Sequence, residues 1–412
     1  MISYTRHILD NGLTVICHHD ADTPLVTVNL LYGVGSRNED PSRTGFAHLC
    51  EHLMFGGTQA VPDYDQVVNS LGGESNAFTN CDITNYYLTV PARHLETALR
   101  LEADRMQGVD LTQRQLEVQQ HVVTEEYHQR YLNQPYGDMW MLLRPLSYRQ
   151  HPYRWCTIGA DIAHVQHASL EEVHNFLSRY YRPSNAILAV AGAVNADQTL
   201  RWAEQWFGCI ADGGEACRAQ HLTPEPDPEG PRRQTVHRSV PTDAFYRSYL
   251  TCDRHDALHP ATDLLSDILS NGESSRLHSR LVKEQGLFSD LDAYLSGELD
   301  RGLFVISGKL NSGVTMNEAE QAVEAEVQRL VEQPVDETEL EKVVNKYEAT
   351  FVFSNYRVAD RAQNLCYYQW LGDIDGINNE PVQYRNVTPD MLHTAAQMLQ
   401  SQRSNTLYYL RK

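Results

Sequence analysis

The sequence predicts an α+β protein made of two duplicated domains, each an antiparallel-rich sheet covered by helices on one face. Three observations carry that expectation. The 412 residues allow two cores of ordinary domain size. Segments of alternating apolar residues cluster and are then followed by segments of helical periodicity, the pattern of a sheet with helices packed on it. The stretches that close the two halves also share one plan. SLEEVHNFLSRYYRPSNAILAVAG (169–192) and TPDMLHTAAQMLQSQRSNTLYYL (388–410) each read as a capped helix, a Ser-Asn pair and an apolar strand.

Taken in order, LTVICHH (13–19) and LVTVNLLYG (25–33) alternate as strands, and GFAHLCEHLMFGGT (45–58) follows as a short amphipathic helix. DITNYYLTVP (82–91) reads as another half-buried strand. ARHLETALRLEADRMQG (92–108) is helical, and TQRQLEVQQHVVTEEYHQRYL (112–132) continues as a long helix. In ADGGEACRAQHLTPEPDPEGPRRQ (211–234) glycine, proline and charge replace hydrophobic periodicity, which marks a linker. The expected domains are therefore 1–210 and 235–412. ATDLLSDILSNGESSRL (261–277) is the second-half counterpart of GFAHLCEHLMFGGT, with Leu264, Asp267 and Ile268 where the first copy has His48, Glu51 and His52. Only the first copy carries metal-binding side chains.

A net charge of −20 disfavours nucleic acid and anionic membrane surfaces as partners, since both would repel the chain. Such a surface suits basic or neutral substrates, and it also simply keeps a chain soluble. No window approaches the roughly 18 apolar residues of a membrane span. The opening MISYTRHILDNGLTV has no basic stretch followed by an apolar run, so a cytoplasmic protein without a secretory signal is expected. Eight cysteines (17, 50, 81, 156, 209, 217, 252 and 366) are scattered without a CxxC pair, which suits reduced thiols in a reducing compartment.

The chemistry concentrates in GFAHLCEHLMFGGT. Leu49, Leu53, Met54 and Phe55 give this helix an apolar face, and Gly56-Gly57 supplies a stop signal. His48 and His52 are one turn apart on one face, and the Glu51 carboxylate borders the point both imidazoles reach. One histidine on such a helix is ordinarily a satisfied boundary residue, whereas two with a carboxylate at this spacing point to a metal. Cys50 projects about 200° around the helix from His48 and reads as packing. Two histidines and a carboxylate leave a zinc position open to water, so the missing ligand should be an Asp or Glu from another element. The long helix offers Glu125 and Glu126, a pair whose bland reading is a solvated face.

HLCEH followed by VVTEE resembles the pitrilysin, insulin-degrading enzyme and mitochondrial processing peptidase family, whose inverted zincin motif is HxxEH. The resemblance runs along nearly the whole chain. GGESNAFTNCDITNYY (72–87) is similar to the family's GGxxNAxT edge strand, SSRL recurs in the second half, and the duplication is shared. It implies a zinc endopeptidase with one Zn²⁺ held by His48, His52 and Glu126. Glu51 is then the general base that takes a proton from water and passes it to the leaving amine. Glu125 and His128 stand next in line for the third ligand. The resemblance further implies that Asn76, Ala77, Phe78 and Thr79 bind substrate on an edge strand to which an extended peptide adds.

Two departures from the family pattern stand out. The family usually has a further glutamate two turns before the distal ligand, and Gln119 occupies that place, able to hydrogen-bond without adding charge. Family members with a complete substrate-binding half also carry an arginine and a tyrosine where this chain has Val282 and Ser289. In the family the two halves form a clamshell, and that pair reaches the metal from the opposite half. A chain of this size is then expected to pair with a paralogous subunit that supplies the arginine and tyrosine. A homodimer, or a shifted register using Arg276, Arg280 or Tyr294, is the alternative. Competing readings are a non-catalytic core-type assembly subunit of the same fold, which typically lacks the motif, and a zinc-binding module in which Glu51 has no task.

Overall fold

The computed structural model describes residues 1–213 and 222–412. The expected linker falls partly on 214–221, outside the described residues, as does Cys217. The other seven cysteines form no disulfide.

Among the described residues eleven strands make two sheets. The first holds β1 (Thr5–Ile8), β2 (Thr14–His19), β3 (Leu25–Tyr32), β4 (Glu74–Thr79), β5 (Thr84–Pro91) and β6 (Ala186–Gly192), in the order β1-β2-β6-β3-β5-β4. The second holds β7 (Arg232–Arg238), β8 (Ala244–Leu250), β9 (Phe288–Leu295), β10 (Leu303–Leu310) and β11 (Ser404–Arg411), in the order β7-β11-β8-β10-β9. Without β1, the two orders correspond strand for strand. Directions correspond as well: β2 runs parallel to β6 as β7 does to β11, and every other pairing is antiparallel. The α+β duplication is thus visible in topology and not only in the closing segments. Those segments fold as their sequences suggest. Ser169 forms a reciprocal capping box with Glu172 ahead of the helix Leu170–Tyr180, and Thr388 caps the helix Pro389–Ala396.

The first sheet is covered on both faces, not one. Along β2, β3 and β6 the side chains of Ile16, Leu31, Ile187, Ala189 and Ala191 pack against Ala362, Leu365 and Cys366 of the helix Val358–Trp370. Val15, Val28, Leu30, Leu188 and Val190 alternate with them, fully buried on the opposite face, where the helices Leu95–Gln107 and Ala196–Phe207 lie. The second sheet repeats the arrangement. Phe245, Phe304 and Ile306 pack with Leu264, Ile268, Val323 and Leu392 on one side. The helix Met139–Ser147 lies on the other, where Ser147 Oγ is 2.6 Å from Ser248 Oγ.

These two helices come from the opposite halves of the chain. One compact unit comprises Met1–Tyr127, the stretch from Cys156 to the end of the first half, and Phe351–Glu380; the other comprises His128–Trp155, Leu222–Thr350 and Pro381–Lys412. The contiguous division into 1–210 and 235–412 therefore differs from the packing, because each unit completes its apolar layer with a helix encoded in the other half. No helix among the described residues is long and apolar enough to cross a membrane.

Candidate metal centre

The motif helix spans Phe46–Leu53 and buries Phe46, Ala47, Leu49, Cys50 and Leu53, which leaves His48, Glu51 and His52 on its half-exposed face. Its start is fixed from two directions. Gly45 adopts a φ of 88°, and a Cβ there would come within 2.7 Å of Val165 Cγ2 and 2.8 Å of the Ile158 carbonyl oxygen. The buried Glu39 carboxylate accepts the N–H groups of Gly45 at 2.9 Å and Ala47 at 2.8 Å, at the helix end where backbone donors need partners. Cys50 is fully buried, and burial pushes its thiol well above the ordinary range, as suits a packing residue.

The third side chain arrives on the helix Gln113–Tyr127, which packs against the motif helix and buries Leu116 and Val123. Gln120 of this helix donates to the carbonyls of Val165 and Ala168, both at 2.9 Å, which anchors the helix at its middle. Its next turn, His128–Leu132, is π-helical. Glu126 Oε2 lies 3.6 Å from His48 Nε2 and 3.3 Å from His52 Nε2, and the two Nε2 atoms are 3.3 Å apart. Glu125 faces solvent. Among the described residues, His48, His52 and Glu126 are the group of His, Cys, Asp or Glu side chains whose donor atoms gather tightly enough for a metal.

Those separations can be tested against an ion. Zinc bonds to nitrogen and oxygen of about 2.0–2.1 Å in a tetrahedron require donor atoms roughly 3.3–3.4 Å apart. Two of the three observed edges meet that value and the third exceeds it by a few tenths of an ångström, so the donor set fits zinc in spacing and in type.

Glu51 is held from the edge strand. Thr79 Oγ1, at the end of β4, donates to Glu51 Oε2 at 2.5 Å. Among the described residues β4 pairs only with β5, so its other edge has no strand partner there. Within β4 the expected substrate-binding residues divide. Ala77 and Thr79 share the motif-helix side, while Asn76 and Phe78 project to the other face, and Asn76 Oδ1 accepts the Ala77 N–H at 2.8 Å. Gln119 lies half-buried two turns before Glu126, on the same helical face.

Behind the motif helix lies a layer that sequence reasoning did not single out. Arg105, fully buried, binds Glu102, while its guanidinium stacks 4.3 Å from the Tyr86 ring, 4.8 Å from Tyr64 and 5.4 Å from Phe55. Phe55 follows the motif helix directly, so this cage fixes the helix's C-terminal end. Burial pushes the Tyr86 and Tyr181 phenols well above their usual range, with the Glu51 carboxylate adding a smaller push, so both remain neutral.

The counterpart helix of the second unit, His259–Ser270, has no such face. Leu264 and Ile268 are fully buried in its core, and burial raises the Asp267 carboxyl, which accepts from Asn271. Val282 packs against that core, and Ser289 lies on β9 with Oγ 3.3 Å from the Lys309 carbonyl. The residues of the alternative register are engaged within the same unit. Arg276 binds Glu339 with two hydrogen bonds, Arg280 binds Glu326, and the Tyr294 ring meets Trp140 edge-on.

A two-sheet α+β fold with two histidines and a glutamate at zinc spacing belongs to a recognisable class, and comparison with known proteins gives the same answer. Residues 14–138 match the family described as "Insulinase (Peptidase family M16)", and residues 167–347 match "Peptidase M16 inactive domain". The chain belongs to peptidase family M16, in its short two-domain bacterial form. It is 29% identical over 405 residues to a protein named zinc protease PqqE from Helicobacter pylori, covering 97% of this chain and 91% of that one. A solved structure of a protease from Helicobacter pylori superposes over 100% of both chains with a TM-score of 0.94 at 27% identity. One relative does not carry a protease name. Rat cytochrome b-c1 complex subunit 1 is 27% identical over 219 residues, covering 53% of this chain and 45% of that protein.

Proposed function

We propose that this chain is a zinc-dependent endopeptidase that cleaves peptides or small unfolded polypeptides, and that it acts as the catalytic subunit of a dimer. The observation that carries the reading is the gathering of His48, His52 and Glu126 beside a Glu51 held in place by Thr79. His48 and His52 would supply neutral imidazole donors and Glu126 the carboxylate. Zinc, when bound, supplies a Lewis acid that acidifies water and polarises a carbonyl. Glu51 accepts the proton of the attacking water and delivers it to the departing amine as the peptide bond breaks. The unpartnered edge of β4 supports recognition of an extended peptide backbone by strand addition, which is tolerant of side-chain identity.

The dimer reading rests on what the second unit lacks. Val282 carries no donor and the Ser289 hydroxyl, directed at the Lys309 carbonyl, is neutral, so neither offers a charge-assisted hydrogen bond to a scissile carbonyl; each donor of that kind is worth about 2.7–4 kcal/mol in transition-state stabilisation. Arg276 and Arg280 are already paired with carboxylates of their own unit. In this reading a paralogous subunit supplies an arginine and a tyrosine, and the substrate is enclosed between the two chains. The alternative of a non-catalytic assembly subunit draws on the likeness to the cytochrome b-c1 subunit, but it gives the ligand set and Glu51 no task.

The test is hydrolysis of a fluorogenic peptide by the chain alone and with its paralogue, for the wild type and Glu51→Gln. Glutamine keeps the size of the side chain but cannot accept the proton, so turnover by the pair should fall by roughly 10²–10⁴ with zinc retained. Near-normal turnover by Glu51→Gln would overturn the base assignment. Robust cleavage by the wild-type chain alone would overturn the need for a partner.

A further inference from the structure

We infer that Thr79 is a positioning residue for the proton-transfer step, coupling the edge strand that receives substrate to the carboxylate that moves the proton; this rests on the reading of Glu51 as general base. The direction of the hydrogen bonds carries the inference. Thr84 Oγ1 donates to the Val34 carbonyl at 2.9 Å, so its single proton is committed to the backbone. Thr79 Oγ1 lies 3.3 Å from Thr84 Oγ1 and 2.5 Å from Glu51 Oε2. A hydroxyl beside an ionised carboxylate donates to it, so the Thr79 proton goes to Oε2.

Three consequences follow from where Thr79 sits. The motif helix fixes the Cα of Glu51 but leaves rotatable bonds between the backbone and the carboxylate, and a charge-assisted hydrogen bond at 2.5 Å selects one orientation of that group. Thr79 in turn is fixed by its own strand, since it faces Thr84 in the β4–β5 register. Finally, Thr79 is the last residue of the strand whose other edge has no strand partner, so a peptide adding there stiffens the element that carries the hydroxyl. The threonine in NAFT therefore serves Glu51 through its side chain, while the strand's backbone serves the substrate.

The inference predicts a split that loss of packing would not give. Thr79→Val keeps the branched shape and removes the hydroxyl, while Thr79→Ser keeps the hydroxyl and removes the methyl. In the active assembly Thr79→Val should lower kcat about 10- to 50-fold, a loss typical of an orienting hydrogen bond, with KM changed less than about threefold and zinc content unchanged. Thr79→Ser should restore kcat to within about threefold of wild type. Adding Thr79→Val to Glu51→Gln should cost nothing further, because residues acting as a unit are not additive. Wild-type kcat in Thr79→Val, or equal losses in the Val and Ser variants, would overturn the inference. So would a full additional loss in the double variant. Failure of the base assignment itself reads differently, as near-normal turnover in Glu51→Gln alone.

Discussion

Glu39 holds the start of the helix that carries both histidines. Its buried carboxylate satisfies two backbone donors at the first turn of the motif helix, and no other acidic residue lies in that turn. Removing it strands two N–H groups in the interior at a helix end. Glu39→Ala should therefore destabilise the protein by about 2–3 kcal/mol in urea unfolding. Glu39→Gln should recover part of that, since one amide oxygen can still accept while the amide nitrogen cannot. His48, Glu51 and His52 were legible because one helix sets their spacing. Glu126 was legible as one of two candidates on the long helix and became a single choice only through the family pattern, because its meeting with the histidines is a tertiary contact. Glu39 and Arg105 were not legible as parts of the site, and Thr79 was expected there only as a substrate-binding residue, not as the partner of Glu51. Their partners are remote in sequence or masked by a helical pattern that looks ordinary, as in LETALRLEADRMQ.

Among the elements, the helix Leu170–Tyr180 shows how a local signal gains a tertiary partner. Ser169 and Glu172 form the capping box that the sequence suggests, and Arg43 then donates to the same Glu172 carboxylate at 2.6 Å. The Arg43 hydrogen bond first, and the Ser169 N–H next, hold the Glu172 carboxyl at about 2 against an ordinary value of 4.5. A carboxyl lowered in the folded state releases its proton more readily there than in the unfolded chain. Its contribution is full above about pH 4.5 and fades as pH falls toward about 2. Glu172→Gln should thus lower Tm at pH 7, and the gap between variant and wild type should close across that window in paired thermal melts. A gap constant down to pH 2 would contradict the assignment. Strands β2, β3, β5 and β6 were legible from their apolar runs. The helices Met139–Ser147 and Val358–Trp370 were not singled out, since the first is short with Pro145 inside it and neither packs on the sheet nearest in sequence.

For the whole molecule, that exchange of helices has a direct consequence. The first sheet needs Ala362, Leu365 and Cys366 to cover Ile16, Leu31 and Ile187, so a fragment ending near residue 234 exposes an apolar face. Such a fragment should aggregate or bind hydrophobic dyes, although it contains every proposed zinc ligand. Within the full chain, Leu365→Ala should cost about 2–5 kcal/mol, as for other fully buried leucines. A soluble, cooperatively melting fragment would show that the helix is dispensable. The duplicated halves are unequal in chemistry. The same strand order recurs, but Leu264 and Ile268 sit in core where His48 and His52 face outward.

The claim on which the rest depends is that His48, His52 and Glu126 hold zinc, and elemental analysis of the full chain tests it most directly. The wild type, purified without chelator and dialysed against metal-free buffer, should carry about one zinc per chain. Glu126→Ala should lose most of it while keeping the wild-type circular dichroism spectrum, and Glu125→Ala should retain it. Full zinc in Glu126→Ala, or a wild type that holds none after zinc is supplied, would contradict the account.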